Sequence, residues 1–267
     1  MPLNPFDFAA LVLGLIMGSF STACVHRWLN RISLVDPARS FCPHCQTTLP
    51  WWQNIPLLSF VLLRGRCAHC KERISWRYPA LELLSGLWGL ALAMVYGPGW
   101  PFAALFVLGG MLLTASFIDL ESFLLPDVIT LPGAVLALLT ATFLLGPGSG
   151  PDAWIASGTT ALWGAGLGGG GFWLLRLGYR ALRGGEGLGL GDVKLMLLIG
   201  ALVGPQGLPL LLLLAGVTAL LAAIIYMIRT GQGGQAPIPF GPFLSLACMV
   251  HLLWGPQIQH WWLNLLR

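Results

Sequence analysis

Apolar runs near twenty residues recur along this chain, and they constrain its fold more than any other feature. A helix rising ~1.5 Å per residue crosses ~30 Å of hydrocarbon in that length. The sequence is 56% hydrophobic and 9% charged over 267 residues, more apolar than a single soluble core requires. The runs are continuous rather than alternating, which favours helices over a membrane barrel. The expected fold is therefore an all-α polytopic membrane protein with about eight transmembrane helices, near 8–28, 80–96, 101–120, 127–145, 153–177, 192–203, 208–228 and 239–254. The sixth is short and reads as a broken or tilted helix. The connectors "GPGW", "GPGSGPD" and "GPQG" carry turn chemistry and no Lys or Arg.

The cations predict orientation. Eight of the fourteen Lys and Arg residues fall around one connector: Arg27, Arg31, Arg39, Arg64, Arg66, Lys71, Arg73 and Arg77. Positive residues stay cytoplasmic, so this connector is expected inside. Alternation then brings Arg176, Arg180, Arg183, Lys194 and Arg229 to the same side. Asp7 is the only charge before the first span, so the basic start of a cleaved signal peptide is missing and span one is expected to remain as an anchor. A net charge of +4 follows from this asymmetry and calls for no nucleic-acid partner. The expected division is a first transmembrane helix (1–28), a cytoplasmic metal module (29–79) and a transmembrane domain (80–267).

Cys42, Cys45, Cys67 and Cys70 form a C-x2-C pair followed by another, with 21 residues between the pairs. Structural zinc takes four tetrahedral thiolates, and two such knuckles supply two each. The spacing is close to the usual ribbon range. The alternative is two disulfides, which a reducing compartment disfavours. His44 and His69 read as bystanders, and Cys24 and Cys248 as small buried apolar residues. A short polar connector gains its fold from metal binding.

Ten acidic residues are few enough to weigh singly. Asp7, Asp36, Glu72 and Asp152 read as solvated loop or edge charges. Glu82 begins span two, and Glu186 lies in the Gly-rich connector "RGGEGLGLGD". Asp119 closes span three and Asp192 opens span six, which the topology puts at the cytoplasmic ends of their helices. Ionisable groups in spans are costly and are functional candidates by default. Spacing alone leaves open two solvated helix-end acids, with Asp192 as an N-cap. If paired, two carboxylates titrate as a unit, and one activates water while the other protonates a carbonyl. Gly187, Gly189 and Gly191 allow close backbone approach. Lys194 does not share the helical face of Asp192. Asp127 follows Pro126 and reads as a cap of span four, with a role at the site as the alternative. The run "GAGLGGGG" lies in an apolar span with no preceding strand, so it reads as a helix-packing surface rather than a nucleotide loop.

Several stretches together, "GSF", "FCPHC", "NIPLLSFVLLRGRCAHC", "ISWRYPALELL", "IDLESFLLPD", "GLGLGDVKL" and "IPFGPFLS", resemble the bacterial type IV prepilin peptidases. These are bifunctional leader peptidases and N-methyltransferases of the GxGD class of membrane aspartyl proteases. The likeness spans nearly the whole chain, and the order and spacing of the motifs are specific. It implies that Asp119 and Asp192 are the aspartyl pair, that Gly189, Gly191, Lys194 and Asp127 support the motif, and that Cys42, Cys45, Cys67 and Cys70 match a cytoplasmic cysteine tetrad. It also implies cleavage of short basic leaders from type IV prepilins and pseudopilins, then methylation of the new N-terminus with S-adenosylmethionine, in the bacterial inner membrane. Ser21 and Thr22 follow "GSF" where the family often has Leu-Asn. Two rival classes remain, an ion-coupled transporter using membrane carboxylates and a non-enzymatic zinc scaffold for pilus or secretion assembly.

Overall fold

Local chemistry fixes where the first helix begins. Pro5 occupies the first helical position, where its missing N–H costs nothing. Asn4 Oδ1 accepts the Asp7 N–H and Asp7 Oδ2 accepts the Asn4 N–H, both at 2.9 Å, a reciprocal capping box. Asp7 was expected as a solvated charge; it is 4% exposed instead, because its carboxylate closes this box.

The computed structural model describes residues 3–36, 39–144, 156, 158–185, 187–231 and 238–265. Among them the chain forms α1 (Pro5–Leu29), α2 (Leu58–Leu62), α3 (Arg77–Tyr96), α4 (Trp100–Ser122), α5 (Asp127–Leu139), α6 (Thr159–Arg183), α7 (Leu190–Thr230) and α8 (Gly241–Leu265). A single 3-10 turn covers Trp51–Asn54 and a π-helical turn Thr140–Leu144. Among the described residues no strand forms beyond two isolated bridges. The turn "GPGSGPD", Asp152 and Glu186 fall outside the described residues.

The expectation of about eight spans stands in part. Among the described residues four helices are long and apolar enough to cross a membrane: Pro5–Leu29, Arg77–Tyr96, Trp100–Ser122 and Leu190–Thr230. Asp127–Thr142 and Gly241–Gly255 are shorter apolar helices. Glycines and three arginines dilute α6, which reaches neither class. Spans six and seven, expected as separate segments, are two helical segments that meet within α7 at Gly204, where a φ of 70° and a ψ of 174° break the helix. Only glycine takes that conformation without strain. The kink falls on the first residue of "GPQG", between the two segments.

The chain divides into two compact units, Met1–Glu121 and Ser122–Arg267. In the first, α1 and α3 pack backbone to backbone. A Cβ on Gly18 would lie 2.6 Å from Glu82 Cα, and one on Gly86 would lie 2.8 Å from the Leu15 side chain. Gly14 and Gly18, four apart, form a small-residue seam of the kind that associates helices where lipid supplies no hydrophobic drive. The Trp88 indole donates to the Leu105 carbonyl at 3.2 Å and tucks α4 against this pair. Phe6 and Phe102 meet edge to face at 5.0 Å, and Thr114 donates to Ser21 Oγ at 3.0 Å.

The second unit repeats the device on other helices. Gly164 and Gly168 of α6 face the backbone of Gly200 and Met196 in α7. The glycine run is a packing seam, as the sequence suggests. The bend at Gly204 disturbs the α7 hydrogen-bond ladder, and the Ala156 N–H donates to the Leu202 carbonyl at 2.8 Å. That bond keeps a backbone group satisfied inside an apolar segment, as lipid requires. Helices α5 and α8 both pack on α7.

Candidate active site and metal centre

Asp119 lies in the last turn of α4 and is 5% exposed. Two residues on, Glu121 pairs with Arg77 at 3.0 Å, tying the end of α4 to the start of α3. Tyr78 in turn meets His26, near the end of α1, at 3.1 Å between its hydroxyl and Nδ1. Within the first unit, Asp119 therefore occupies the same end as the close of α1 and the opening of α3.

In the second unit Asp192 is the third residue of α7. The N-cap is Gly189, so the reading of Asp192 as an N-cap is corrected. Its carboxylate reaches back to accept the Gly189 N–H, the return half of a capping box whose first half glycine cannot supply. The helix N-terminus favours negative charge there. The preceding loop is held from three sides. Arg176 donates to the Leu188 carbonyl. The Tyr179 ring covers Gly187 so closely that a Cβ would sit 2.5 Å from Cε1. Leu125 fills the space a Gly191 side chain would need, at 2.7 Å. Glycine at 187 and 191 is thus a packing requirement of the Asp192 loop.

Asp127 does not cap α5 either. Pro126 is the N-cap residue and no side chain caps this end. Asp127 instead binds Lys194, with Nζ 2.6 and 2.7 Å from its two oxygens. This pair joins the first turns of α5 and α7 beside Asp192. Asp119 and Asp192 belong to different units.

The four cysteines come together as expected. Their sulfurs all lie within 4.8 Å of one another, with Cys42–Cys70 at 3.8 Å and Cys45–Cys67 at 4.0 Å. Zinc–sulfur bonds of ~2.3 Å in a tetrahedron put sulfurs ~3.8 Å apart, whereas a disulfide needs ~2.0 Å. No disulfide joins these four cysteines in the structure. Each knuckle is built alike. Cys42 N–H donates to the Thr47 carbonyl at 3.0 Å and Cys67 N–H to the Glu72 carbonyl at 2.8 Å. The residue after each second cysteine, Gln46 or Lys71, turns left-handed with φ 57° or 61°. The thiols share few protons evenly. Hydrogen bonds from the Thr47 hydroxyl and N–H draw Cys45 down to about 6. At Cys70 the Glu72 N–H pulls downward, but burial and the neighbouring thiols prevail and raise it to about 11. Metal coordination would replace these protons, because it takes the thiolate form.

The sequence reading missed a cavity of about 340 Å³ in the first unit, enclosed by the end of α1, the start of α3 and the cysteine module. Glu82 lines it, from the second turn of α3. Its signal was present, a lone glutamate in the apolar stretch "PALELLSG", but only the fold brings His26, Asn54 and Tyr78 to the same space.

Comparison with known proteins covers both units. Residues 12–96 match the bacterial peptidase A24 N-terminal domain, and residues 106–224 match the type IV leader peptidase family. A protein of Stutzerimonas stutzeri named prepilin leader peptidase/N-methyltransferase is 39% identical over 289 aligned residues, covering 99% of this chain and 96% of its own length. Relatives with the same name in Aeromonas hydrophila and Pseudomonas aeruginosa are 40% and 36% identical, covering 85% and 97% of this chain and 75% and 94% of their own. No solved structure matches. With buried or helix-capping aspartates at its motif positions and this degree of identity along nearly its whole length, the chain belongs to the type IV leader peptidase family.

Proposed function

We propose that the chain cleaves the leader from type IV prepilins and pseudopilins at the cytoplasmic face of the bacterial inner membrane and then N-methylates the new N-terminus. Asp119 and Asp192 are the aspartyl pair. One takes a proton from water as it attacks the scissile carbonyl, and the other protonates that carbonyl. Gly189 and Gly191 shape the Asp192 loop, and the Lys194–Asp127 pair holds α5 to α7 beside it. Cys42, Cys45, Cys67 and Cys70 hold a structural zinc in a module over 29–79, with the aspartyl domain over 80–267. A fully thiolate-ligated zinc has no open position for water, so hydrolysis belongs to the carboxylates. S-adenosylmethionine supplies the methyl group.

The observation that carries this reading is the identity, over 99% of the chain, with a relative named for both activities. The burial of Asp119 and the glycine-framed carboxylate of Asp192 give it chemical sense. The test is a prepilin substrate followed by mass spectrometry. Asp119→Asn and Asp192→Asn are each expected to lower leader cleavage by at least about 10²-fold, the usual scale for removing an acid–base group, while the protein still inserts. Activity within about tenfold of wild type in either variant removes that residue from the assignment.

A further inference from the structure

The cavity beside the cysteine module has a size, a charge and a wall chemistry that suit one kind of reaction. Its volume of about 340 Å³ falls in the ~300–1,000 Å³ range of small-molecule sites. Phe41, Phe60 and Pro79 give it apolar surface, and Gln53 and Asn54 give it amide groups. Glu82 projects a carboxylate to it whose recorded partners are the Leu57 N–H, at 2.8 Å, and the Ser19 hydroxyl. Neither partner is a cation; Arg27 and Arg73 also line the cavity, and Arg27 donates to the Ser33 and Leu34 carbonyls at 2.9 Å rather than to Glu82. A carboxylate left with neutral partners in a partly apolar space favours a cationic ligand.

The chain also strains to hold that carboxylate in place. Leu57 takes φ 59° and ψ −46°, and the Leu58 N–H reaches the Pro56 carbonyl at 2.6 Å. This is a rare γ-turn for a non-glycine residue. Its result is the N–H that fixes one oxygen of Glu82.

Both substrates of the proposed N-methylation are cations, a sulfonium donor with a planar base and the ammonium of a freed N-terminus. We propose that this cavity is the methyl-transfer site, with Glu82 holding the freed N-terminal ammonium and accepting its proton while S-adenosylmethionine occupies the remaining space. The inference rests on the N-methylation reading given above. Glu82 removes one proton, exposing the nitrogen lone pair. The nitrogen–methyl bond forms as the sulfur–methyl bond breaks, and that bond's electron pair stays on sulfur. The products are a methylated ammonium and the neutral thioether S-adenosylhomocysteine. The proton on Glu82 then leaves to water. Tyr78 and His26, bonded to each other, close the wall between α3 and α1.

The test uses the full-length protein in detergent, with two acceptors: an intact prepilin and a synthetic mature pilin N-terminus needing no cleavage. Wild type is assayed first. Failure to methylate either acceptor overturns the underlying N-methylation reading, not merely this site. Given an active wild type, Glu82→Gln is expected to lower methylation of both acceptors by about 10²-fold or more, with leader cleavage within about twofold of wild type. Ser59→Trp, which fills the cavity from α2, is expected to weaken binding of S-adenosylhomocysteine in equilibrium dialysis by at least about tenfold, or ~1.4 kcal/mol. Methylation by Glu82→Gln near the wild-type rate overturns the role of Glu82. Unchanged dialysis with Ser59→Trp overturns the donor placement. Parallel loss of cleavage and methylation in both variants assigns the cavity to folding and overturns the proposal as a whole.

Discussion

Asp127 and Lys194 are 67 positions apart, yet the ammonium sits 2.6 and 2.7 Å from the two carboxylate oxygens. The pair is short but Asp127 is 60% exposed, and exposed ion pairs contribute only ~0–1 kcal/mol. Asp127→Asn is therefore expected to lower unfolding stability in detergent by no more than about 1 kcal/mol. Its leader cleavage should stay well above that of Asp119→Asn or Asp192→Asn. Cleavage as low as theirs would move the catalytic assignment within "DLESFLLPD". The identity of these acids was readable from the sequence, because charge is rare in apolar runs. Their partners were not. Residue type reads Asp7 as a solvated edge charge and Asp127 and Asp192 as helix-start acids, yet one closes a capping box, one binds lysine and one returns to a glycine N-cap. Those choices depend on contacts as local as one turn and as distant as another helix.

Glycine placement decides how the helices pair. Gly164 faces backbone of α7, whereas Gly166, half a turn away, meets nothing within 4 Å. Gly166→Ala is expected to be neutral or to stabilise by up to ~1 kcal/mol, through helix propensity. Gly164→Ala and Gly14→Leu should each destabilise by about 1–3 kcal/mol through overpacking. Thermal unfolding in detergent orders the three, and equal effects at 164 and 166 would refute the seam. The α6 seam was legible as a glycine run in an apolar span. The partner face on α7 was not, since Gly200 looks unremarkable there. The break within α7 was legible from Gly204 and Pro205, but not that helix resumes directly after it.

The candidate groups divide between the two compact units. The first holds the cysteine cluster, the cavity and Asp119; the second holds Asp192. Cys42 and Cys67 line the cavity wall. Purified protein is expected to contain one zinc per chain by elemental analysis, and Cys67→Ser to lose it. Stoichiometric zinc in that variant would refute the four-thiolate site. A Cys42→Ser/Cys45→Ser variant should yield cleaved but poorly methylated pilin by mass spectrometry, because structural zinc contributes folding energy where it binds and Asp119 is carried by α4. Normal methylation there would separate the module from the transfer step. The membrane character and the clustering of four cysteines were legible, because each rests on residue type and spacing. The number of spans was less so, since glycine and arginine blur α6 and the apolar helices Asp127–Thr142 and Gly241–Gly255 are short.

The hydrogen bond from Ala156 to Leu202 has an evolutionary consequence. The donor is main chain, so any residue but proline can supply it, and selection at this position is blind to side-chain chemistry. Volume is another matter. A Cβ on Gly204 would lie 3.1 Å from the Ala156 methyl, and Ala156 is 7% exposed beside Ala141 and Ala161. Drift at 156 is therefore confined to a narrow alphabet of alanine, glycine and serine, and a proline arising there would be purged because it leaves a carbonyl without its donor in an apolar setting.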